Sequence, residues 1–247
     1  AAGFALLLRV LLEACSVNGK LYGGLELQSL LAVMAAATIL YGSLGALRQR
    51  QLKRLLGYAS IASAGYALLG VAVLNAAGAQ AVLFYLGGYL FAVLAAFTVI
   101  TVITEADADE DIGVLANLHQ RSPWLAAVFT LAIVSMAGVP PLVGFFGKFL
   151  LLKAALAGAE AHPLLPWVIG IAIVGVVVSF YYYFAMIREI YWGKGRYWES
   201  EPSTEPITCP APARAALLLC ALGLLLLGLY PEPLLNYAIS AAEIFAR

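Results

Sequence analysis

Charge is what this sequence has least of. Its 247 residues include 14 basic and 14 acidic side chains, so 11% are charged and the formal net charge is zero. Soluble domains run to about 25% charged and 45–50% apolar residues, whereas 63% of this chain is hydrophobic and its mean hydropathy is +0.93. Too little polar surface exists to cover a water-soluble globule of this length, so the bilayer is the expected solvent. With no net positive charge there is no case for a nucleic-acid partner. Cysteine is as sparse: Cys15, Cys209 and Cys220 show no paired spacing, which argues against a disulfide framework or a metal centre and leaves them as apolar fillers. The only histidines, His119 and His162, fall in loop-like stretches and are expected to be solvated. A P-loop, GxGxxG, HExxH and any haem or iron–sulfur cysteine pattern are missing. No cofactor or metal is therefore expected on this chain, and it has no visible means of redox chemistry. The opening AAGFALLLRVLLEA has no initiator Met, no basic n-region and no cleavage site, so it does not read as a signal peptide. It offers about 14 apolar residues where a spanning helix needs about 20, and the chain is expected to be cut inside a helix. Arg9 within that run needs a partner or must snorkel to the surface.

What is present is a series of long apolar segments, at about 1–14, 28–47, 55–74, 81–103, 124–157, 165–192 and 212–230. In lipid each must satisfy its own backbone, which selects helices; the short alternating stretches of a membrane β-barrel are absent. The expected fold is all-α, a polytopic transmembrane helical bundle over 1–233, with 234–247 as a weakly amphipathic tail at the membrane surface. Basic residues sort the loops: Arg48, Arg50, Lys53 and Arg54 in one, Arg121 in the loop 104–123, and Arg188, Lys194 and Arg196 in a third, with none in 75–80 or 158–164. That alternation puts the basic loops in the cytoplasm. Loop 104–123 begins with Glu105, Asp107, Asp109, Glu110 and Asp111, and Ile112, Leu115 and Leu118 then recur at helical spacing. A short surface helix with acids at its positive end fits this, either as a solvated connector or as a docking surface for a neighbouring subunit.

Segment 124–157 is too long for one straight span and is interrupted at Gly138, Pro140, Pro141, Gly144 and Gly147. Two prolines remove backbone donors and glycines weaken the helix, so it is expected to break near 138–147. Irregular backbone at membrane depth is tolerated only where protein shields it or it lines a watery cavity, and broken helices recur in ion transporters. Lys148 sits just past the break among apolar neighbours. An ammonium at mid-bilayer costs about 3 kcal/mol. Burial penalises its charge, and the positive end of a new half-helix starting there would act in the same direction. Lys148 is thus the candidate proton relay. Its bland alternative is a lysine that snorkels or pairs with a carboxylate. Lys53, beside arginines at a loop edge, is a second candidate or ordinary topology. Tyr58, Ser60, Ser63 and Tyr66 follow it in one segment, and Tyr85 and Tyr89 lie four apart on one face. These hydroxyls either order a water chain, with Tyr58, Ser60, Ser63, Tyr85 and Tyr89 its members, or serve helix packing and an aromatic belt.

These residues also carry a family resemblance. Leu52-Lys53-Arg54-Leu55-Leu56-Gly57-Tyr58-Ala59-Ser60-Ile61 through Gly65-Tyr66, then Tyr85-Leu86-Gly87-Gly88-Tyr89-Leu90-Phe91 with Ala95-Ala96-Phe97, resemble stretches of the antiporter-like membrane subunits of respiratory complex I, NADH–quinone oxidoreductase. So do Ala137-Gly138-Val139-Pro140-Pro141, Gly144-Phe145-Phe146-Gly147-Lys148-Phe149 and Ser179-Phe180-Tyr181-Tyr182-Tyr183, and the resemblance runs from Ala1 to about Pro233. Lysine at 148 and tyrosines at 85 and 89 resemble the N branch of these subunits rather than L or M. Ser63 departs from the family's frequent histidine, which puts a histidine relay there in doubt. The resemblance implies a fourteen-helix fold with two inverted repeats, of which this chain is the C-terminal half. It implies proton translocation in the bacterial inner membrane through Lys148 and Lys53, driven by electron transfer from NADH to quinone elsewhere. NADH, FMN, iron–sulfur clusters and quinone would sit in the wider complex, and the partners would be other membrane subunits of complex I, antiporter-like and small, and the lipid bilayer. A subunit of a multi-subunit cation/proton antiporter, or a non-pumping structural scaffold, are the other readings.

Overall fold

The computed structural model describes residues 2–11, 16–17, 20–21, 24–107, 110–159, 162–193 and 206–245. Cys15, Asp109, Lys194 and Arg196 lie outside the described residues. The helices are α1 (Ala2–Arg9), α2 (Gly24–Leu47), α3 (Leu52–Ala72), α4 (Ala76–Asp107), α5 (Leu118–Arg121), α6 (Pro123–Ala137), α7 (Val143–Gly158), α8 (Leu165–Trp192), α9 (Ala211–Leu229) and α10 (Glu232–Phe245). Between α1 and α2 a minimal antiparallel pair joins β1 (Ser16–Val17) to β2 (Lys20–Leu21). Leu25–Leu47, Leu52–Ala72, Ala76–Asp107, Leu165–Trp192 and Ala211–Leu229 are long and apolar enough to cross a membrane. The chain is a multi-pass, all-α membrane bundle.

Helix α4 is the spine, and α3, α6, α7, α9 and α10 all pack on it. At 32 residues it rises about 48 Å, more than the roughly 30 Å hydrocarbon core. Two buried clusters divide its length. One gathers Ala95, Val99, Ile100, Leu118, Phe129 and Met186 towards the basic loops. The other gathers Ala79, Val82, Tyr85, Leu151 and Leu165 towards the opposite side. Lipid gives helices no hydrophobic drive to associate, so close backbone approach by small residues takes over. Helices α2 and α3 show it: a Cβ on Gly42 would collide with Ala62 N and Tyr58 O, and one on Gly65 would come within 2.7 Å of Ile39.

The basic side is stitched by polar contacts. Leu52 N donates to Glu110 O at 2.8 Å and Ile112 N to Arg50 O at 2.7 Å. The Arg121 guanidinium grips the Asp107 carboxylate through two bonds of 2.7 and 2.6 Å. Leu115 and Leu118 are fully buried. Loop 104–123 is therefore packed rather than a solvated connector, because its helically spaced leucines point into the bundle and its one arginine is neutralised by its own acidic start.

Both histidines correct the expectation of solvation. His162 is buried: its Nε2 lies 2.9 Å from Ser29 Oγ, and its Nδ1 accepts from Leu164 N at 3.3 Å. His119 donates from Nδ1 to Ile190 O at 2.8 Å and lies against the Tyr191 ring. Each fastens a short loop to a helix end, where unpaired backbone groups offer partners. The last described stretch, 234–245, continues helix α10, which packs along α4. Leu234 fills the space over Gly87, and Ala238 and Ala242 are buried. The Pro231-Glu232-Pro233 kink turns α10 back onto α4, where alanines let the two helices approach closely.

Gly42→Val is expected to push α2 from α3, because the atoms it meets are backbone and cannot yield. The cost is about 1–3 kcal/mol, read as a lower unfolding midpoint in detergent. Gly57→Ala, with open space around its Cβ, is expected to be neutral or stabilising. Equal midpoints for Gly42→Val and the parent would refute the close α2–α3 packing.

Candidate functional site

The break begins with a helix cap. Gly138 stands at φ +88°, a left-handed conformation that favours glycine. Its N–H donates to Ser135 O at 3.0 Å and the Val139 N–H to Val134 O at 3.2 Å, the paired bonds of a Schellman ending. These satisfy Val134 and Ser135 but leave the carbonyls of Met136 and Ala137 without helical donors. Pro140 and Pro141 have no N–H to give. Lys148 supplies what is missing: its Nζ donates to Met136 O at 2.8 Å and to Ala137 O at 3.0 Å. The side chain reaches that point by running under Gly138, whose absent Cβ would lie 3.1 Å from Lys148 Cδ. Lys148 is 6% exposed, and its Nζ stands 5.3 Å from the centre of the Tyr66 ring, within cation–π range.

Two details differ from the sequence reading. The helix resumes at Val143, so Gly144 and Gly147 lie inside α7 rather than in the break. They are glycine for close approach: a Cβ at 144 would collide with Ser135 O, and one at 147 would meet the Tyr85 ring at 2.8 Å. Ser135 Oγ also accepts from Gly144 N at 3.3 Å, tying the two half-helices together. The ammonium, moreover, rests at the C-terminal, negative end of α6 and not at the positive end of α7, because the side chain folds back across the break.

Hydroxyls surround this lysine. Tyr66 donates from Oη to Ala172 O at 2.9 Å. Tyr89 Oη donates to Ser60 Oγ at 2.8 Å, and Ser60 Oγ donates to Leu56 O at 2.8 Å. Tyr85 stacks on Tyr89 with ring centres 5.9 Å apart, and Ser63, one turn beyond Ser60 on α3, is buried beside them. Ser60, Ser63, Tyr85 and Tyr89 thus come together beside Gly147 and Lys148. Tyr58 does not join them; it packs over Gly45 and pairs with the exposed Tyr41. Lys53 is also apart, half-exposed and paired with Glu110 Oε1 at 2.7 Å. It precedes Ser60 by seven residues of α3, about 10 Å of helix rise.

Sequence reasoning missed part of the cluster. Tyr182 and Tyr183 pack ring to ring at 4.6 Å and are buried with Ser179. Ser43 Oγ is the one buried side-chain polar atom without a partner among the described residues. It lies with Tyr66 Oη around Gly175, whose Cβ would come 3.5 and 2.8 Å from them. The signal for these was a hydroxyl inside an apolar helix, too common in membrane helices to single out without its neighbours. Among the described residues no group of three His, Cys, Asp or Glu side chains is arranged to hold a metal. Cys209 and Cys220 are free thiols.

The family described as NADH:quinone oxidoreductase/Mrp antiporter, TM, matches residues 1–179. NADH-quinone oxidoreductase subunit N of Desulforamulus reducens (strain ATCC BAA-1160 / DSM 100696 / MI-1) is 36% identical over 248 residues, covering 99% of this chain and 48% of the relative. Among solved structures, the membrane-bound sulfane sulfur reductase, an archaeal respiratory membrane complex, is similar with a TM-score of 0.83 and 27% identity, over 99% of this chain and 47% of that one. Respiratory complex I from Thermus thermophilus with bound aureothin is similar with a TM-score of 0.69 and 34% identity, over 84% of this chain and 45% of that one. The chain spans about half the length of the curated relatives it matches.

Gly138→Ala is expected to lower stability by about 1–2 kcal/mol, the cost of a Cβ in the left-handed region, and to crowd Lys148. Thermal unfolding in detergent measures it, and an unchanged midpoint would show that the left-handed cap does not form.

Proposed function

Because the chain belongs to the NADH:quinone oxidoreductase/Mrp antiporter transmembrane family, we propose that it carries protons across the bacterial inner membrane as part of subunit N of NADH–quinone oxidoreductase. Lys148 is the relay. The observation that carries this reading is its ammonium, buried in the bundle and held by the two carbonyls freed at the helix break. A group that takes up and releases a proton must be shielded from bulk water yet reachable by polar groups. The cluster of Ser60, Ser63, Tyr85 and Tyr89 supplies those on the α3–α4 side. Lys53 stands nearer the cytoplasmic entrance, where Glu110 holds it in place, and Lys148 passes the proton on towards the outer side.

Partners are the other membrane subunits of the complex. NADH, FMN, the iron–sulfur clusters and quinone belong to the wider assembly. The described residues of this chain do not fit an iron–sulfur cluster, since Cys209 and Cys220 have no further thiol beside them to complete a ligand set. Electron transfer elsewhere acts on this chain through charge. A change of charge in a neighbouring subunit alters whether the Lys148 ammonium is favoured at its site, and the hydroxyl cluster exchanges the proton.

Lys148→Ala and Lys148→Arg, in the assembled complex in inverted membrane vesicles, are both expected to lower the rate of proton transfer through this chain by at least about tenfold, equivalent to ~1.4 kcal/mol of barrier, read as slower NADH-driven proton uptake. Arginine keeps the charge but does not titrate, so its loss of pumping separates a relay from a fixed charge. Wild-type pumping in Lys148→Ala would leave the scaffold reading. Proton movement that requires sodium and persists without the redox subunits would leave the antiporter reading.

A further inference from the structure

His119 is the one histidine in a basic loop, and its contact with α8 uses only half of its ring. Nδ1 donates to Ile190 O at 2.8 Å. A carbonyl only accepts, so the neutral ring keeps its hydrogen on Nδ1 and its lone pair on Nε2. The residue is partly exposed, and Nε2 has no hydrogen-bond partner among the described residues. The charged groups nearest in sequence are Arg121, gripped by Asp107, and Arg188 and Glu189, which precede Ile190 on α8. Glu189 turns its carboxylate towards Gly193 at the end of α8. None of them is ion-paired with the imidazole among the described residues.

Polar atoms continue inward from this ring. Tyr191 lies against it with ring centres 5.6 Å apart. Tyr191 Oη stands 3.3 Å from Thr130 Oγ1 on α6, and either oxygen can donate. Thr130 precedes Met136 and Ala137 by six and seven residues on α6, about 10 Å of helix rise, and the carbonyls of those two hold the Lys148 ammonium. Helix α8, packed on α6, carries the buried Tyr183, Tyr182 and Ser179. Tyr183 is eight residues from Tyr191, about 12 Å along the helix, and shares a buried cluster with Met136. Hydrogen-bonded oxygens sit about 2.8 Å apart, so an interval of about 10 Å takes roughly three of them, and these hydroxyls give them partners.

We propose that His119 collects protons for Lys148 and passes them through Tyr191 and Thr130 to the buried hydroxyls of α8, forming a second entrance on the α6–α8 side. The inference deepens the reading of Lys148 as the relay and rests on it. Lys53 and the Ser60–Tyr89 cluster approach the ammonium from α3 and α4, whereas this line approaches from α6 and α8. Each step moves one proton. Uptake at Nε2 makes imidazolium and release inward restores imidazole, while a hydroxyl that accepts a proton on a lone pair gives up its own. A ring that only fastened the loop to α8 would need Nδ1 and have no use for Nε2.

The test follows NADH-driven membrane potential in inverted vesicles, which turn the cytoplasmic face to the bath, at equal amounts of assembled complex. His119→Asn keeps an N–H for Ile190 O but cannot titrate. It is expected to slow the build-up several-fold, and imidazole added to the bath is expected to restore it relative to the parent in the same buffer. Tyr191→Phe keeps the ring against His119 and loses only Oη. It is expected to be slowed alike and not to be rescued, because its gap lies inside the bundle. A parent rate in either variant would overturn the proposal. So would a slow His119→Asn that imidazole leaves slow, which is anchoring alone, or equal rescue of both variants, which is a bulk buffer effect. Tyr191→Phe decides the matter where His119→Asn does not assemble. With Lys148→Ala slow and both variants at the parent rate, the relay stands and the entrance falls. With Lys148→Ala at the parent rate and His119→Asn slow and rescued, the relay reading falls and the entrance stands.

Discussion

An ammonium held 2.8 and 3.0 Å from two backbone carbonyls explains why a helix can stop in the middle of this bundle. Breaking a helix in lipid exposes carbonyls that no water reaches, and each costs several kcal/mol if left alone. A lysine buried without partners is as unwelcome. Each problem is the solution of the other here. The cap at Gly138 satisfies Val134 and Ser135, the lysine satisfies Met136 and Ala137, and Ser135 Oγ takes the Gly144 amide across the gap. The break and the cation are thus a single feature, and removing either leaves the other unsatisfied.

The rest of the packing covers that feature and holds it in register. Tyr66, on α3, covers the ammonium with its ring and anchors its own hydroxyl on Ala172 of α8. Tyr85, on α4, lies against Gly147, where no larger residue fits. Gly228, on α9, closes over Pro141 and Leu142 from the other side. Four helices thereby fix the position of one nitrogen atom. The glycines act by bringing backbones and rings near enough for those contacts, a role that only Gly138 shares with a conformational one.

Much of this was legible in the sequence because membrane spans write themselves in long apolar runs, and a proline pair with a lysine behind it stands out against them. The spans and the approximate break could be read from composition alone. What was not legible depends on side chains reaching elsewhere. Gly144 and Gly147 look like helix breakers until Ser135 and Tyr85 are seen beside them. His162 looks solvated until Ser29, 133 residues away in sequence, is found against it. Lys53 was the second lysine candidate, yet Glu110 holds it at the rim, because α3 starts beside the loop that follows α4. Tyr182 and Tyr183 were visible only as a likeness, since nothing in their local sequence distinguishes an inward tyrosine from an interfacial one.

The electrostatic setting of Lys148 has a further consequence for coupling. Among the described residues it has no carboxylate partner; its positive charge is met by carbonyl dipoles and a ring face. Two formal charges brought together in a low dielectric lock each other, and shifting either costs much of their mutual attraction. Dipoles compensate more weakly, and they stay in place whether or not the nitrogen carries its proton. On the proposed relay role, a lysine so held would answer a charge arriving from outside the cluster, because no formal counter-charge among the described residues is paired with it. The hydroxyls of Ser60, Ser63, Tyr85 and Tyr89 fit the same logic, since a hydroxyl donates and accepts without taking a net charge.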